Sequence, residues 1–319
     1  MKIAIIDYFN QDMGLKILFP EADYFISKVQ FDKTTCLQKY NIEMKTDWSI
    51  INDINYDYLF IIIALYSAKK GTAHYTQELF DILQKELIII NNNNFKKVFV
   101  FDNYDYDYDP NTILQNNKIN LFFKRHYNKN KYYQKNVVPF PFIMYGPISM
   151  IEKIDSKFPI TNNENTLNRV FWSGSLFCYI DNEAQVIADR RLTYSQITSH
   201  NNNGIFNPGI LPYNIFLSEM NKSKFSLDLQ GAGYPNKRTF EILSTNSLLI
   251  AENNDLVWPF PEQFSEETTF KNATDYIEKV NKLSENNELY IKCLTNQQNI
   301  VNKYFNIVWI KSFISSHMD

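Results

Sequence analysis

The sequence predicts an α/β protein made of two parallel-sheet domains, and three observations carry that prediction. In the amino-terminal half, short apolar runs without polar alternation are separated by stretches of helical period, as in parallel strands buried on both faces. The same alternation restarts after a proline-rich interruption near residue 140. A length of 319 residues exceeds the usual single domain and suits two.

Taken in order, residues 3–6 read as a first buried strand. The chain turns polar at once after it, so this apolar run is too short for a signal peptide. Residues 58–64, 98–101 and 119–123 are the next strands, and residues 76–87 form a helix with Leu79, Phe80, Leu83 and Leu87 on one face. In Val137-Val-Pro-Phe-Pro-Phe142 and Gly146-Pro147 the prolines remove ladder donors, so the sheet is expected to stop there. Residues 140–165, ending in Asn162-Asn-Glu-Asn165, are expected to connect the domains. The resulting division is 1–150, 151–300, and a terminal helix at 301–319 that packs back on the first domain.

The second domain opens with the strand Arg169-Val-Phe-Trp172, followed directly by Ser173-Gly174-Ser175. A helix carrying Arg190 and Arg191 leads into an asparagine-rich loop at 201–204, and residues 213–220 form another helix. Then come a strand at 225–229, a loop with Gly231 and Gly233, a short helix opened by Pro235 and Asn236, and a strand at 248–251. Amphipathic helices over 274–283 and 288–304 and a helical tail over 305–314 complete the chain.

Composition limits the function classes. The hydrophobic share is 45% and the charged share 21%, as in a globular protein, and no window nears the ~20 apolar residues of a membrane span. The 21 Tyr and 25 Phe accompany abundant Asn, Lys and Ile, which fits compositional drift better than a use for aromatic rings. A net charge of −3 and a pI near 5.9 give no basic footprint, which argues against duplex nucleic acid as the main partner. The local run from Lys124 to Lys131 could make a basic patch, but an isolated charge run is more often a solvated face. Cys36, Cys178 and Cys293 are odd in number and far apart, so neither a disulfide framework nor a zinc set follows. A cytoplasmic protein in a reducing compartment is expected.

The segment from Lys224 to Glu252 carries the chemistry. It is a strand, a glycine-bearing loop, a helix and a second strand, with Lys237 and Arg238 at the helix start. A helix start has unpaired backbone N–H groups and partial positive charge, so such a unit can hold a phosphorylated ligand. Asn236 is a good N-cap, and Asn246 suits a left-handed helix end. Arg238 and Glu241 are surface neighbours, which leaves two readings. One is an exposed ion pair worth a few tenths of a kcal/mol. The other has Arg238 on a diphosphate and Glu241 on a ribose diol, and Gly231 and Gly233 favour it by allowing close approach.

The run from Lys224 through Gly231 to Arg238-Thr-Phe-Glu241-Ile-Leu resembles the donor-binding domain of glycosyltransferases of GT-B architecture, in which two Rossmann-like domains face a cleft. The pattern is most similar to the exostosin-like and fucosyltransferase-like groups, and covers mainly residues 168–275. The resemblance implies transfer of a sugar from a nucleotide-diphosphate sugar, such as a UDP- or GDP-sugar, to a hydroxyl acceptor of glycan type. It implies Arg238 and Lys237 on the diphosphate, Glu241 on the ribose, and Ser173 and Gly174 beside the phosphates, although a simple strand-to-loop turn explains the last two equally well. Catalysis would be metal-independent and inverting, with a general base on the first domain, for which Asp7, Asp12 and His126 are the candidates. Gly233 stands where the commoner pattern has the first of two acids, which points away from the retaining subclass.

Three alternatives remain. Asp105, Asp107 and Asp109, preceded by Asp102, would share one face of an extended chain and could bind Mg²⁺ or Mn²⁺, although a short acidic loop is usually solvated. The acceptor could instead be a modified DNA base. The chain could also be a silent nucleotide- or carbohydrate-binding module. A dehydrogenase is disfavoured because no Gly-x-Gly-x-x-Gly follows residues 3–6.

Overall fold

The structure, a computed structural model, describes residues 1–7, 14–26, 42–62, 77–102, 109–115, 117–140, 167–174, 181–201, 205–207, 211–230, 234–252 and 255–318. The chain divides into two compact units. The first holds Met1–Ser149, Val257–Pro259 and Ile310–Asp319, and the second holds Met150–Leu256 and Phe260–Trp309.

Six parallel strands form the sheet of the first unit: β1 (Ile3–Asp7), β2 (Asp23–Phe25), β3 (Tyr58–Ile62), β4 (Lys97–Phe101), β5 (Leu121–Lys124) and β6 (Val137–Pro139). Their order is β2-β1-β3-β4-β5-β6, so the winding reverses between β1 and β3. The helices are α1 (Gly14–Leu18), α2 (Ile50–Asp53), α3 (Gln77–Asn92) and α4 (Asn111–Leu114). Period-2 alternation gives the sheet two apolar faces. Leu59, Ile61, Val98, Val100 and Phe122 enter an aliphatic core with Leu83 and Ile90 of α3. On the opposite face Phe60, Phe99, Phe101, Phe123 and Phe140 form a ladder, with Phe101 and Phe123 stacked at 4.5 Å. Phe313, near the carboxyl terminus, lies 6.3 Å from Phe123 and 6.1 Å from Phe140. Much of the high aromatic content is therefore core.

Three sequence expectations are corrected here. Val137–Pro139 does join the sheet, in register with Phe122, Phe123 and Lys124 of β5. It is the edge strand, where a proline costs no ladder bond, and Phe140 N donates to Lys124 O at 2.8 Å. Helix α3 runs on through the aliphatic run to Asn92, because Glu86, Ile89 and Ile90 continue its buried face. Lys124, Arg125 and His126 are buried rather than solvated, and the Lys124 ammonium sits 2.6 Å from Asp102 Oδ2 with both side chains fully enclosed.

The second unit repeats the plan with β7 (Leu167–Ser173), β8 (Ile205–Asn207), β9 (Ser223–Asp228), β10 (Leu248–Glu252) and β11 (Thr269–Phe270). All are parallel in the order β11-β10-β9-β7-β8, so the reversal falls between β7 and β9. The helices are α5 (Asp181–Asn201), α6 (Tyr213–Asn221), α7 (Lys237–Leu243), α8 (Ala273–Glu285), α9 (Asn287–Tyr304) and α10 (Ile307–Ser315), the last crossing into the first unit. Val170, Trp172, Phe225, Leu227, Leu248 and Ile250 pack against Tyr276, Val280 and Cys293 of α8 and α9. Cys293 is a buried free thiol. Among the described residues no helix is long and apolar enough to cross a membrane.

Candidate functional site

In open parallel sheets a ligand settles outside the carboxyl ends of the strands where the winding reverses. In the second unit that place lies between the ends of β7 and β9, at Ser173-Gly174 and Asp228. Helix α7 starts beside it, and its start is fastened by a capping box. Asn236 Oδ1 accepts from Arg238 N at 2.8 Å and Thr239 N at 3.3 Å, while Asn236 N donates to Thr239 Oγ1 at 3.2 Å. Thr239 Oγ1 donates in turn to Asp228 Oδ2 at 2.6 Å, and Asn236 Nδ2 to Asp228 Oδ1 at 3.4 Å. Asp228 is fully enclosed, and burial pushes its carboxyl up to about 6 against the pull of Thr239, Arg238 and Asn236. The backbone donors of Arg238 and Thr239 are therefore consumed by the cap. Positive charge at this point comes from side chains more than from an open helix end.

The Arg238 guanidinium is the group so displayed. Its Cζ lies 4.9 Å from the Trp172 ring and 5.7 Å from the Phe216 ring, over Gly174. A Cβ at Gly174 would fall 3.0 Å from Arg238 Nη1 and 3.1 Å from Cζ, and nearer still to Nη2. Only glycine leaves the guanidinium this room. Arg238 has no ion pair among the described residues and its Nε has no hydrogen-bond partner. Burial lowers its pKa, opposed by Asp228 and Glu241, and Arg191 adds like charge. A guanidinium held by rings and lacking a carboxylate partner retains its fork of donors for a ligand.

Glu241 is buried one turn further along α7. It is paired with Lys237 Nζ at 3.6 Å and accepts from the phenol of Tyr213, whose pKa burial and Glu241 together push up to about 12. The Arg238–Glu241 ion pair, one of the two readings of this spacing, is not found among the described residues. Asn246 also departs from expectation: α7 ends at Leu243 with Ser244 as its C-cap, Asp255 is the one described non-glycine residue with positive φ, and Asn246 N donates to Asn221 Oδ1. A second cationic group stands at the same sheet edge. Arg190 of α5 donates to Gln230 O at 2.7 Å and lies 3.4 Å from Glu252 Oε1, while Gln230 N donates to Glu252 Oε2 at 3.0 Å.

Of the residues singled out from sequence, Ser173, Gly174, Lys237, Arg238 and Glu241 thus belong to the second unit, with Ser173 buried at the end of β7. Gly231 and Gly233 lie outside the described residues, as do Asp12, Asp105 and Asp107. Asp7 ends β1 in the first unit, is 1% exposed, and accepts from Tyr24 Oη at 2.6 Å. His126 is buried just after β5, and Asp102 just after β4 is bound to Lys124. Asp109 is exposed and caps Asn111 N at 2.9 Å. Among the described residues no cluster of three His, Cys, Asp or Glu side chains could hold a metal ion. Trp172, Phe216, Tyr213 and Asp228 were not singled out from sequence, because topology rather than spacing brings them to Arg238.

No protein-family model matches the sequence, and no curated protein matches it either. Solved structures do. T4 phage BGT with its UDP-glucose substrate matches over 100% of both chains at 13% identity and TM-score 0.51. T4 phage BGT with UDP and Mn²⁺ matches over 100% of both chains at 13% and 0.50. An α-glucosyltransferase with UDP and a 13-mer DNA containing an HMU base matches over 100% of this chain and 99% of the other, at 12% and 0.50. The chain has the GT-B glycosyltransferase fold. These similarities do not extend to the exostosin-like or fucosyltransferase-like features that the sequence pattern resembles.

Proposed function

We propose that this chain is a glycosyltransferase that takes a sugar from a UDP-sugar bound on its second unit. The observation that carries this reading is Arg238: a guanidinium without a carboxylate partner, fixed between Trp172 and Phe216 above Gly174 at the sheet reversal. It suits the diphosphate in the ground state and the charge that develops on the leaving nucleotide, which is electrostatic stabilisation by a placed cation. Lys237, Arg190 and Arg191 add positive field, and Ser173 and Gly174 stand beside the guanidinium. Gly231 and Gly233 complete the proposed donor loop. Glu241, buried with Tyr213 and Lys237, is the proposed acceptor for the ribose hydroxyls. UDP rather than GDP is favoured by the UDP and UDP-glucose complexes of the similar structures.

For the acceptor we infer a hydroxyl on a modified DNA base. The GT-B similarity to BGT and to an α-glucosyltransferase bound to DNA supports this over a glycan hydroxyl, which the acidic net charge alone favours. Direct displacement with inversion needs one base to deprotonate that hydroxyl. Asp7 and Asp102, at the carboxyl edge of the first sheet, join Asp12 and His126 as the proposed choices. The test is release of UDP from UDP-glucose in the presence of duplex DNA carrying an HMU base, with unmodified duplex and a glycan panel as controls. Sugar transfer to the modified duplex supports the reading. UDP binding without turnover on any acceptor would instead indicate a silent binding module.

A further inference from the structure

The net charge of −3 conceals an uneven distribution. Between Asp109 and Glu152 the sequence contains no acidic residue and six cations, Lys118, Lys124, Arg125, Lys129, Lys131 and Lys135, which leaves −9 on the remainder. Lys124 and Arg125 are buried, so the exposed charge collects on Lys118 and on the β5–β6 connection with Lys129, Lys131 and Lys135. In the middle of that connection stands Tyr132, at 84% the most exposed of the large apolar side chains described.

This exposure is built rather than accidental. The neighbouring ring of Tyr133 turns inward onto Tyr127 at 4.3 Å, and Asn128 N donates to Tyr133 Oη at 3.3 Å. Asn128 further accepts from Asn130 N through its side chain and from Lys131 N through its carbonyl, at 2.8 and 3.1 Å, while Val257 N donates to Tyr127 O at 2.9 Å. The loop therefore has a fixed shape that points one ring outward among lysines. Cations that neutralise phosphates, with an aromatic ring among them for an unstacked base, are the footprint of a nucleic-acid contact. A neutral glycan has no charge for these lysines to answer.

We propose that the loop of residues 128–136 is the surface by which this protein grips DNA, its lysines on the phosphate backbone and Tyr132 against a base. This rests on the DNA acceptor proposed above. The test is fluorescence anisotropy of the full chain with a short labelled duplex over a salt series, alongside a melt with UDP. Lys129→Gln/Lys131→Gln/Lys135→Gln should weaken DNA binding by about tenfold or more and make the log–log salt slope shallower by roughly 2 to 3. The matching triple Lys→Arg variant should retain wild-type affinity, and Tyr132→Ala should lose about fivefold or more. UDP stabilisation should be the same in every variant. Unchanged affinity and slope in the triple Gln variant would overturn the assignment, as would tighter binding to phosphatidylserine vesicles than to DNA. Wild type that is stabilised by UDP yet binds no DNA would also overturn this surface while leaving the donor site standing. DNA binding lost as expected in a chain indifferent to UDP would support the surface and remove the donor reading instead.

Discussion

Gly174→Ala probes the donor site without touching a charged group. The added methyl would lie 3.0–3.1 Å from Nη1 and Cζ of Arg238 and nearer still to Nη2, against ordinary carbon contacts of about 3.5–4.0 Å, so the guanidinium must retreat by about 1 Å or more. Charge-assisted hydrogen bonds to a diphosphate hold at about 2.7–2.9 Å, and a shift of that size forfeits one or both. At about 1.5–3 kcal/mol for a bond to a charged group, UDP affinity should fall about ten- to hundredfold. What moves is the end of a flexible side chain, so fold stability should change by about 0.5 kcal/mol or less. Calorimetric titration with UDP, beside a thermal melt, reads both numbers. The double variant Gly174→Ala/Arg238→Ala should bind no more weakly than Arg238→Ala alone, because the glycine acts only through the arginine. Full UDP affinity in Gly174→Ala, or additive losses in the double variant, would refute the reasoning.

Further predictions separate the roles of neighbouring groups. Glu241→Ala should weaken UDP binding while leaving inorganic pyrophosphate binding unchanged, whereas Arg238→Ala should weaken both; competition titrations distinguish them. Asp102→Asn leaves the enclosed Lys124 ammonium without its partner and should cost about 3–5 kcal/mol in urea unfolding, whatever it does to activity. Asp228 has a folded-state carboxyl at about 6 against an ordinary 3.8, so its protonated form is favoured by folding. That contribution is present below about pH 4 and disappears as pH rises through about 6, a loss on the order of 3 kcal/mol. Denaturation of wild type against Asp228→Asn between pH 4 and 7 should show this difference, and parallel curves would contradict it.

The fold was largely legible because most of its interior strands are built on apolar runs, and β1, β3, β4, β5, β7, β9 and β10 fall within one or two residues of their expected places. The strands missed were β2, β6, β8 and β11. Each spans two or three residues, too few for a period, and β6 carries a proline that only its edge position makes acceptable. At the site, local signals were readable: Asn236 as cap, and Lys237, Arg238 and Glu241 on one short helix. The partners of those residues were not. Sequence spacing pairs Arg238 with Glu241, but Tyr213 from α6 and Lys237 hold the glutamate, and Trp172 from β7 with Phe216 holds the arginine. Average charge misled in a similar way, since −3 overall hides the acid-free stretch that bears Tyr132.

The most direct test is a crystal structure with UDP bound. The diphosphate should lie about 3 Å from the Arg238 guanidinium, above Gly174, with the ribose diol on Glu241. A diphosphate bound elsewhere, with Arg238 still between Trp172 and Phe216 and making no contact to it, would contradict the assignment of this site.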